Sequence, residues 1–307
     1  MKIAGELRAP RLFTAFPHRL IAVLESADRL ADFGTLAAVA NGLSAVVTFL
    51  HHLSRPPMHD QDILLNDPPC VVVNKPGGIL VQSPPGIDSL VDQLRSYECR
   101  RLEMDPERVY IGVPHRLDRP VSGAIVFART RKAANRLSEQ FAGRLVGKEY
   151  WALVAGRVTP SQGVWRDEIR KLPGEARAEI VPADHPDGRI AVLHYVVQRY
   201  LEFGTWLRIR LETGRMHQIR VQAGARGFPI LGDEQYGSDV GFGPQTDDWR
   251  ARWIGLHARS LTFRHTKTRE KLRVTAPVPE PWRQLLPEAA WQIKHESVFA
   301  QGDSTQR

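Results

Sequence analysis

Residues 187–211 read DGRIAVLHYVVQRYLEFGTWLRIRL, and their reading decides the fold class. Asp187-Gly188 marks a turn, and Ile190–Tyr200 follows as a long run rich in β-branched and aromatic residues. Gly204 marks a second turn. After it Leu207, Ile209 and Leu211 alternate with Trp206, Arg208 and Arg210. Alternation at period two sends successive side chains to opposite faces, so both runs are expected to be strands.

Outward from this pair, short apolar runs bounded by turn residues recur. Cys70–Val73 is stopped by Asn74-Lys75-Pro76-Gly77-Gly78, Gly123–Ala128 follows a loop carrying Asp118, Pro120 and Ser122, and Tyr150–Val154 reads as a buried strand. Ser89–Tyr97 reads as a helix. Residues 131–146 also carry a helical period, with Ala134, Leu137, Phe141 and Leu145 at spacings of three and four among Arg131, Lys132, Arg136 and Arg144. No internal repeat and no regular strand–helix alternation appear. The expectation is an α+β protein with a mixed, mainly antiparallel sheet and flanking helices.

A chain of 307 residues with 42% apolar and 25% charged residues can bury one core of about 200–250 residues plus an appendage. Forty-two Lys and Arg against 34 Asp and Glu leave a formal charge of +8. Such a surplus favours polyanionic partners, because neutralised phosphates release counterions. Cys70 and Cys99 have no metal-ligand spacing and form no disulfide framework, which suits a reducing cytoplasm.

The expected organisation is an extension over residues 1–57, a main domain over 58–296 and a polar tail over 297–307. The Pro-containing stretch Ser54–Asp60 reads as the linker. Phe33–Leu50 is uncharged for 18 residues, which raises the question of a membrane span. Gly34, Asn41, Gly42 and Ser44 dilute its hydrophobicity, so an amphipathic or core helix is the preferred reading and no membrane attachment is expected. A third reading starts the protein at Met58. No function is placed on residues 1–57.

Three segments crowd polar residues beside strand-like runs. In Pro114–Gly123, Asp118 stands between Arg116 and Arg119 in a loop beside a strand. Neighbouring cations favour a carboxylate, and such a loop can present it to a ligand. A turn residue or an ion-pair partner is an equal reading. In Gly214–Val221, Arg215 and Arg220 are natural partners for phosphate or carboxylate, against the alternative of a solvated basic turn. His217-Gln218 has no second histidine or carboxylate at metal spacing, so no metal site is expected. In Lys148–Val154, Tyr150 heads a strand, where an aromatic is ordinarily core and in a nucleic-acid enzyme can stack on a base.

HRLDRPVSGAIVFA (115–128) resembles the HRLD signature of the RluA-like family of RNA pseudouridine synthases. LETGRMHQIRVQAGARGFPILGDEQYG (211–237) resembles that family's later GR-x-HQIR and P-I-x-GD-x-x-YG motif. Val73–Gly78, Lys148–Val154 and Leu256-His257-Ala258 match in the same order, so the resemblance spans about residues 60–285. Val121, Gln82-Ser83 and Thr266 depart from the usual pattern, and residues 1–57 supply no S4-type RNA-binding module.

The resemblance implies the pseudouridine synthase fold and conversion of uridine in RNA to pseudouridine without cofactor or metal. Large-subunit rRNA is the preferred substrate and tRNA the alternative. It implies Asp118 as the catalytic carboxylate, acting as nucleophile or as base, Arg220 paired with it and Tyr150 packed on the target base. Arg116 would fill the space the base vacates. His115, Arg119, Arg215, His217, Gln218 and Lys75 complete the expected RNA-binding set, with scaffold use an equal reading for Lys75, Arg119 and Arg215. A cytoplasmic monomer is expected. The rival reading is a catalytically inactive RNA-binding protein on the same fold.

Overall fold

A computed structural model describes residues 57–286. The readings made for residues 1–56, including Phe33–Leu50, and for the tail after 286 lie outside the described residues. The chain runs β1 (Ile63–Asp67), β2 (Cys70–Lys75), α1 (Leu90–Leu102), β3 (Ser122–Ala128), α2 (Arg131–Ala142), β4 (Gly147–Val154), β5 (Gln162–Lys171) and β6 (Ala178–Val181). It continues through β7 (Arg189–Leu201), β8 (Gly204–Leu211), α3 (Gln218–Gly224), β9 (Leu256–Arg264), β10 (Lys271–Thr275) and α4 (Glu280–Arg283).

The ten strands among the described residues form one sheet in the order β1-β2-β3-β9-β4-β8-β7-β5-β6, with β10 paired to β9. Every pairing is antiparallel except β3 with β9, which run parallel through Ser122–His257 and Gly123–Ala258. The expected mainly antiparallel α+β architecture is therefore what forms. The quoted stretch is the β7–β8 hairpin, in register from Leu193↔Leu211 to Leu201↔Gly204.

Gly123 explains how the parallel contact is made. Its φ is +119°, and an added Cβ would lie 2.3 Å from the Ala258 carbonyl oxygen. Only glycine permits that approach of β3 to β9.

The period-two pattern buries both faces. On one, Val71, Val73, Ile125, Leu207 and Ile209 pack with Leu90 and Leu94 of α1 and Ile219 of α3. On the other, Val72, Val126 and Phe263 meet Leu137 of α2, while Trp151 and Trp206 meet Trp282 of α4. Ser89 caps α1, accepting from the Asp92 amide at 3.3 Å, and Thr130 caps α2 by accepting from Ala133 at 3.2 Å. Helix α1 runs five residues past its expected end at Tyr97. The added turn is held because buried Glu98 pairs with Arg101 at 2.6 Å and Arg129 at 2.5 Å. Helix α2 stops short of residue 146 at Gly143, and Arg144 follows with φ +57°. No helix among the described residues is long and apolar enough to cross a membrane.

Candidate active site

Asp118 sits in the loop that leads into β3, and the loop is fixed from three sides. Leu117 is buried in the core beside it. The Lys75 ammonium, fully buried, donates to the carbonyls of Pro76 (3.0 Å), Arg119 (3.0 Å) and Val121 (2.6 Å). His115 accepts the Val126 amide through Nε2 at 3.1 Å and stacks on Phe141 with ring centroids 4.2 Å apart. Burial pushes the His115 pKa down to about 3, with Lys148 adding to the shift, so the ring is neutral and keeps accepting that amide.

The second wall comes from the turn before α3. His217 adopts φ +51° and caps a seven-residue helix whose first six residues are buried, Gln218 and Arg220 among them. Arg220 spreads its guanidinium over three acceptors. Nε and Nη2 meet the two oxygens of Asp233 at 2.7 and 2.8 Å, Nη2 also reaches Gln235 at 2.9 Å, and Nη1 lies 3.4 Å from Asp118. The Tyr236 ring lies under the guanidinium at 5.0 Å. The Tyr236 hydroxyl accepts the Ala178 amide at 2.9 Å and meets His217 Nδ1 at 2.8 Å.

The other nitrogen of His217 approaches Asp118 at 3.8 Å. Burial lowers the His217 pKa and the Asp118 charge only partly offsets it.

Tyr150 enters from β4. The β4–β9 register slips between Glu149 and Tyr150, so Arg259 bulges out of the β9 ladder opposite Tyr150. Burial first, then the Asp118 charge, raises the pKa of the Tyr150 hydroxyl and keeps it protonated.

Asp118, Tyr150, Arg220, His217 and Arg116 all line one cavity of about 910 Å³. Asp118 keeps 31% of its side chain exposed there, against 5% for Arg220. A half-open carboxylate braced by a buried cation is suited to attack or proton transfer at an electrophilic carbon, because its geometry is fixed and its oxygen stays reachable.

The cavity gathers most of the expected residues but gives several of them different work. Lys75 has no exposed surface and its ammonium is taken by three carbonyls, which is the geometry of the scaffold alternative left open from sequence. Gln218 lines the cavity. It is buried, and its carbonyl oxygen accepts from the Thr213 hydroxyl at 2.7 Å and the Arg215 amide at 3.1 Å, which shapes the turn.

Arg119 donates to Gly78 O at 3.1 Å and pairs with Asp248 at 3.3 Å, while Arg215 donates to Ile190 O at 3.0 Å. These contacts tie both arginines to the scaffold, and both also line the cavity. Arg116 is exposed at the cavity. The residues overlooked from sequence are Asp233, Gln235 and Tyr236. Their signal was present in GDEQYG (232–237), where an acid and an aromatic stand beside a motif already quoted.

The family model described as RNA pseudouridylate synthase matches residues 69–225. The ribosomal large subunit pseudouridine synthase D of Xanthomonas campestris pv. campestris is 38% identical over 244 residues, covering 74% of this chain and 70% of its own. The ribosomal large subunit pseudouridine synthase C of Pasteurella multocida is 32% identical over 228 residues, covering 74% and 67%. Among solved structures, human RNA pseudouridylate synthase domain containing 4 superposes with a TM-score of 0.59 at 23% identity, covering 78% of this chain and 94% of that one, and so shares its fold.

Proposed function

The chain belongs to the RNA pseudouridylate synthase family, and from that premise we propose that it isomerises one or a few uridines of large-subunit ribosomal RNA with Asp118 as the catalytic carboxylate. The observation that carries the assignment is the Asp118 side chain, open to the cavity on one side and held from behind by Arg220 at 3.4 Å.

The reaction breaks the bond from C1′ to N1 of the base and forms one from C1′ to C5. The C5 proton leaves and N1 gains one, so atoms balance without an oxidant or reductant. Asp118 works at the sugar, as nucleophile or as base. Arg220 keeps its carboxylate in place, since the guanidinium is itself anchored by Asp233 and Gln235. Tyr150 packs against the target base in the cavity.

A uridine reaches that depth only by leaving its stack, at a cost of about a few kcal/mol. Arg116, exposed at the cavity, fills the vacated space and offsets part of that cost. The proposed working unit is a monomer, a reading supported by Asp118, Tyr150 and Arg220 all coming from one chain, so that no second copy is needed to complete the site.

The test is pseudouridine mapping of ribosomal and transfer RNA from cells with and without the gene, complemented by wild type or Asp118→Asn. One or a few large-subunit sites should vanish and return only with the wild type. Sites confined to transfer RNA would overturn the substrate, and rescue by Asp118→Asn would overturn the role of the acid.

A further inference from the structure

Of the cations that line the cavity, Arg119, Arg215 and Arg220 are engaged as described above, and Arg116 is the one assigned to the space the base vacates. Arg252 pairs with Glu234 at 2.7 Å. Arg144 and Lys148 differ. Lys148 lines the cavity, and its ammonium has one long contact, 3.5 Å to the Thr213 carbonyl. Arg144 also lines the cavity and stands close enough to act on Lys148 electrostatically. Among the described residues neither forms an ion pair with a carboxylate. Gly214 keeps the space over the ammonium clear, since a Cβ there would come within 3.1 Å of Lys148 Nζ.

Two neighbouring cations, one of them half-buried, repel each other and lose hydration, and among the described residues no carboxylate pairs with either to compensate. Burial and Arg144 together lower the Lys148 pKa, which is the signature of that cost. An arriving anion removes it. A tetrahedral phosphate suits the pair, because guanidinium offers a planar fork and ammonium a point charge.

We propose that Arg144 and Lys148 form a phosphate seat that takes a phosphodiester of the RNA backbone beside the extruded uridine. The proposal rests on the RNA-modifying reading above and adds to it a backbone contact on the wall opened by Gly214. The seat reads no base. It holds the strand so that the sugar of the extruded nucleotide stays within reach of Asp118.

The experiment uses the full chain with transcripts of large-subunit ribosomal RNA and of transfer RNA carrying tritium at uridine C5, so that turnover releases tritium. Binding is measured over a range of salt. Lys148→Met should raise KM about tenfold, by more than it lowers kcat. It should also reduce the slope of log affinity against log salt by about one. Lys148→Arg should restore both.

Arg144→Gln, at an exposed position that folding tolerates, should move both quantities in the same direction. It should add little when combined with Lys148→Met. Unchanged slopes in Arg144→Gln and Lys148→Met, or a loss confined to kcat, would overturn the seat. If the wild type turns over only transfer RNA, the ribosomal assignment falls, and the seat is judged by the same slopes on that RNA.

Discussion

Asp233→Asn separates the residue that holds the site together from Asp118, the residue proposed to react. Asp233 is 2% exposed and takes two charge-assisted hydrogen bonds from Arg220, at 2.7 and 2.8 Å. Breaking a buried pair by neutralising one partner costs about 3–5 kcal/mol. Asparagine keeps one acceptor, worth about 1 kcal/mol, but turns an amide donor against a guanidinium donor. A loss of about 3 kcal/mol follows, which for a domain of this size lowers Tm by about 6–12 °C.

Asp118 meets the same guanidinium at 3.4 Å with its side chain 31% exposed, so Asp118→Asn should cost at most about 1 kcal/mol. It should nevertheless abolish tritium release. Thermal and urea unfolding of both variants, with turnover measured on the same preparations, makes the comparison. In the Asp233→Asn background, replacing Arg220 by Met should recover part of the loss, because the stranded buried cation is gone. If Asp118→Asn proves as destabilising as Asp233→Asn, or Asp233→Asn costs less than about 1 kcal/mol, the anchoring role is refuted.

Three further outcomes are expected. Lys75→Met should cost about 3 kcal/mol or more in urea unfolding, since three carbonyls lose their donor, while the salt slope of RNA binding stays unchanged; a fall in that slope would restore Lys75 as an RNA contact. Gly123→Ala should destabilise by about 2 kcal/mol or more, because the new Cβ would lie 2.3 Å from Ala258 O at positive φ, and an unchanged Tm would contradict the close β3–β9 approach. Burial pushes His115 and His257 down to about 3 from 6.5. The unfolded chain therefore binds more protons than the folded one between those values. Stability should then be full above about pH 6.5 and fall as pH drops, by at most about 1.4 kcal/mol per pH unit for each histidine; a flat urea profile would refute their neutrality.

What could be read from the sequence follows how each residue is stabilised. The β7–β8 hairpin was legible because its alternation is strict and Gly204 breaks it at the turn. Strands β5 and β6 were not legible, because outward-facing Arg166, Glu168 and Glu179 interrupt their apolar positions. The last turn of α1 was hidden for a related reason, since Glu98 looks like a surface residue until Arg101 and Arg129 are seen to neutralise it. Asp118 and Arg220 came from ordered motifs. Asp233 sat in plain view and was passed over, because its partner lies thirteen positions away across a turn that pattern alone does not fold. Nor does pattern tell an occupied cation from an available one: Lys75 and Lys148 read alike as letters, and burial separates them.

The place of β9 has a consequence for the order in which this protein can be built. It lies between β3 and β4, so the strand made ninth of the ten among the described residues is the one that joins the first three to the next five. Asp118 precedes β3, on one bank of that gap; Tyr150 and Arg220 belong to the other. A growing chain that ends at residue 250 already carries every one of these side chains, yet it lacks the strand that separates β3 from β4 in the sheet. The two banks can be joined as they are in the folded sheet only once Leu256–Arg264 is available to pair with both. Until then the exposed flanks of β3 and β4 are where the nascent protein would recruit a chaperone or pair with the wrong strand.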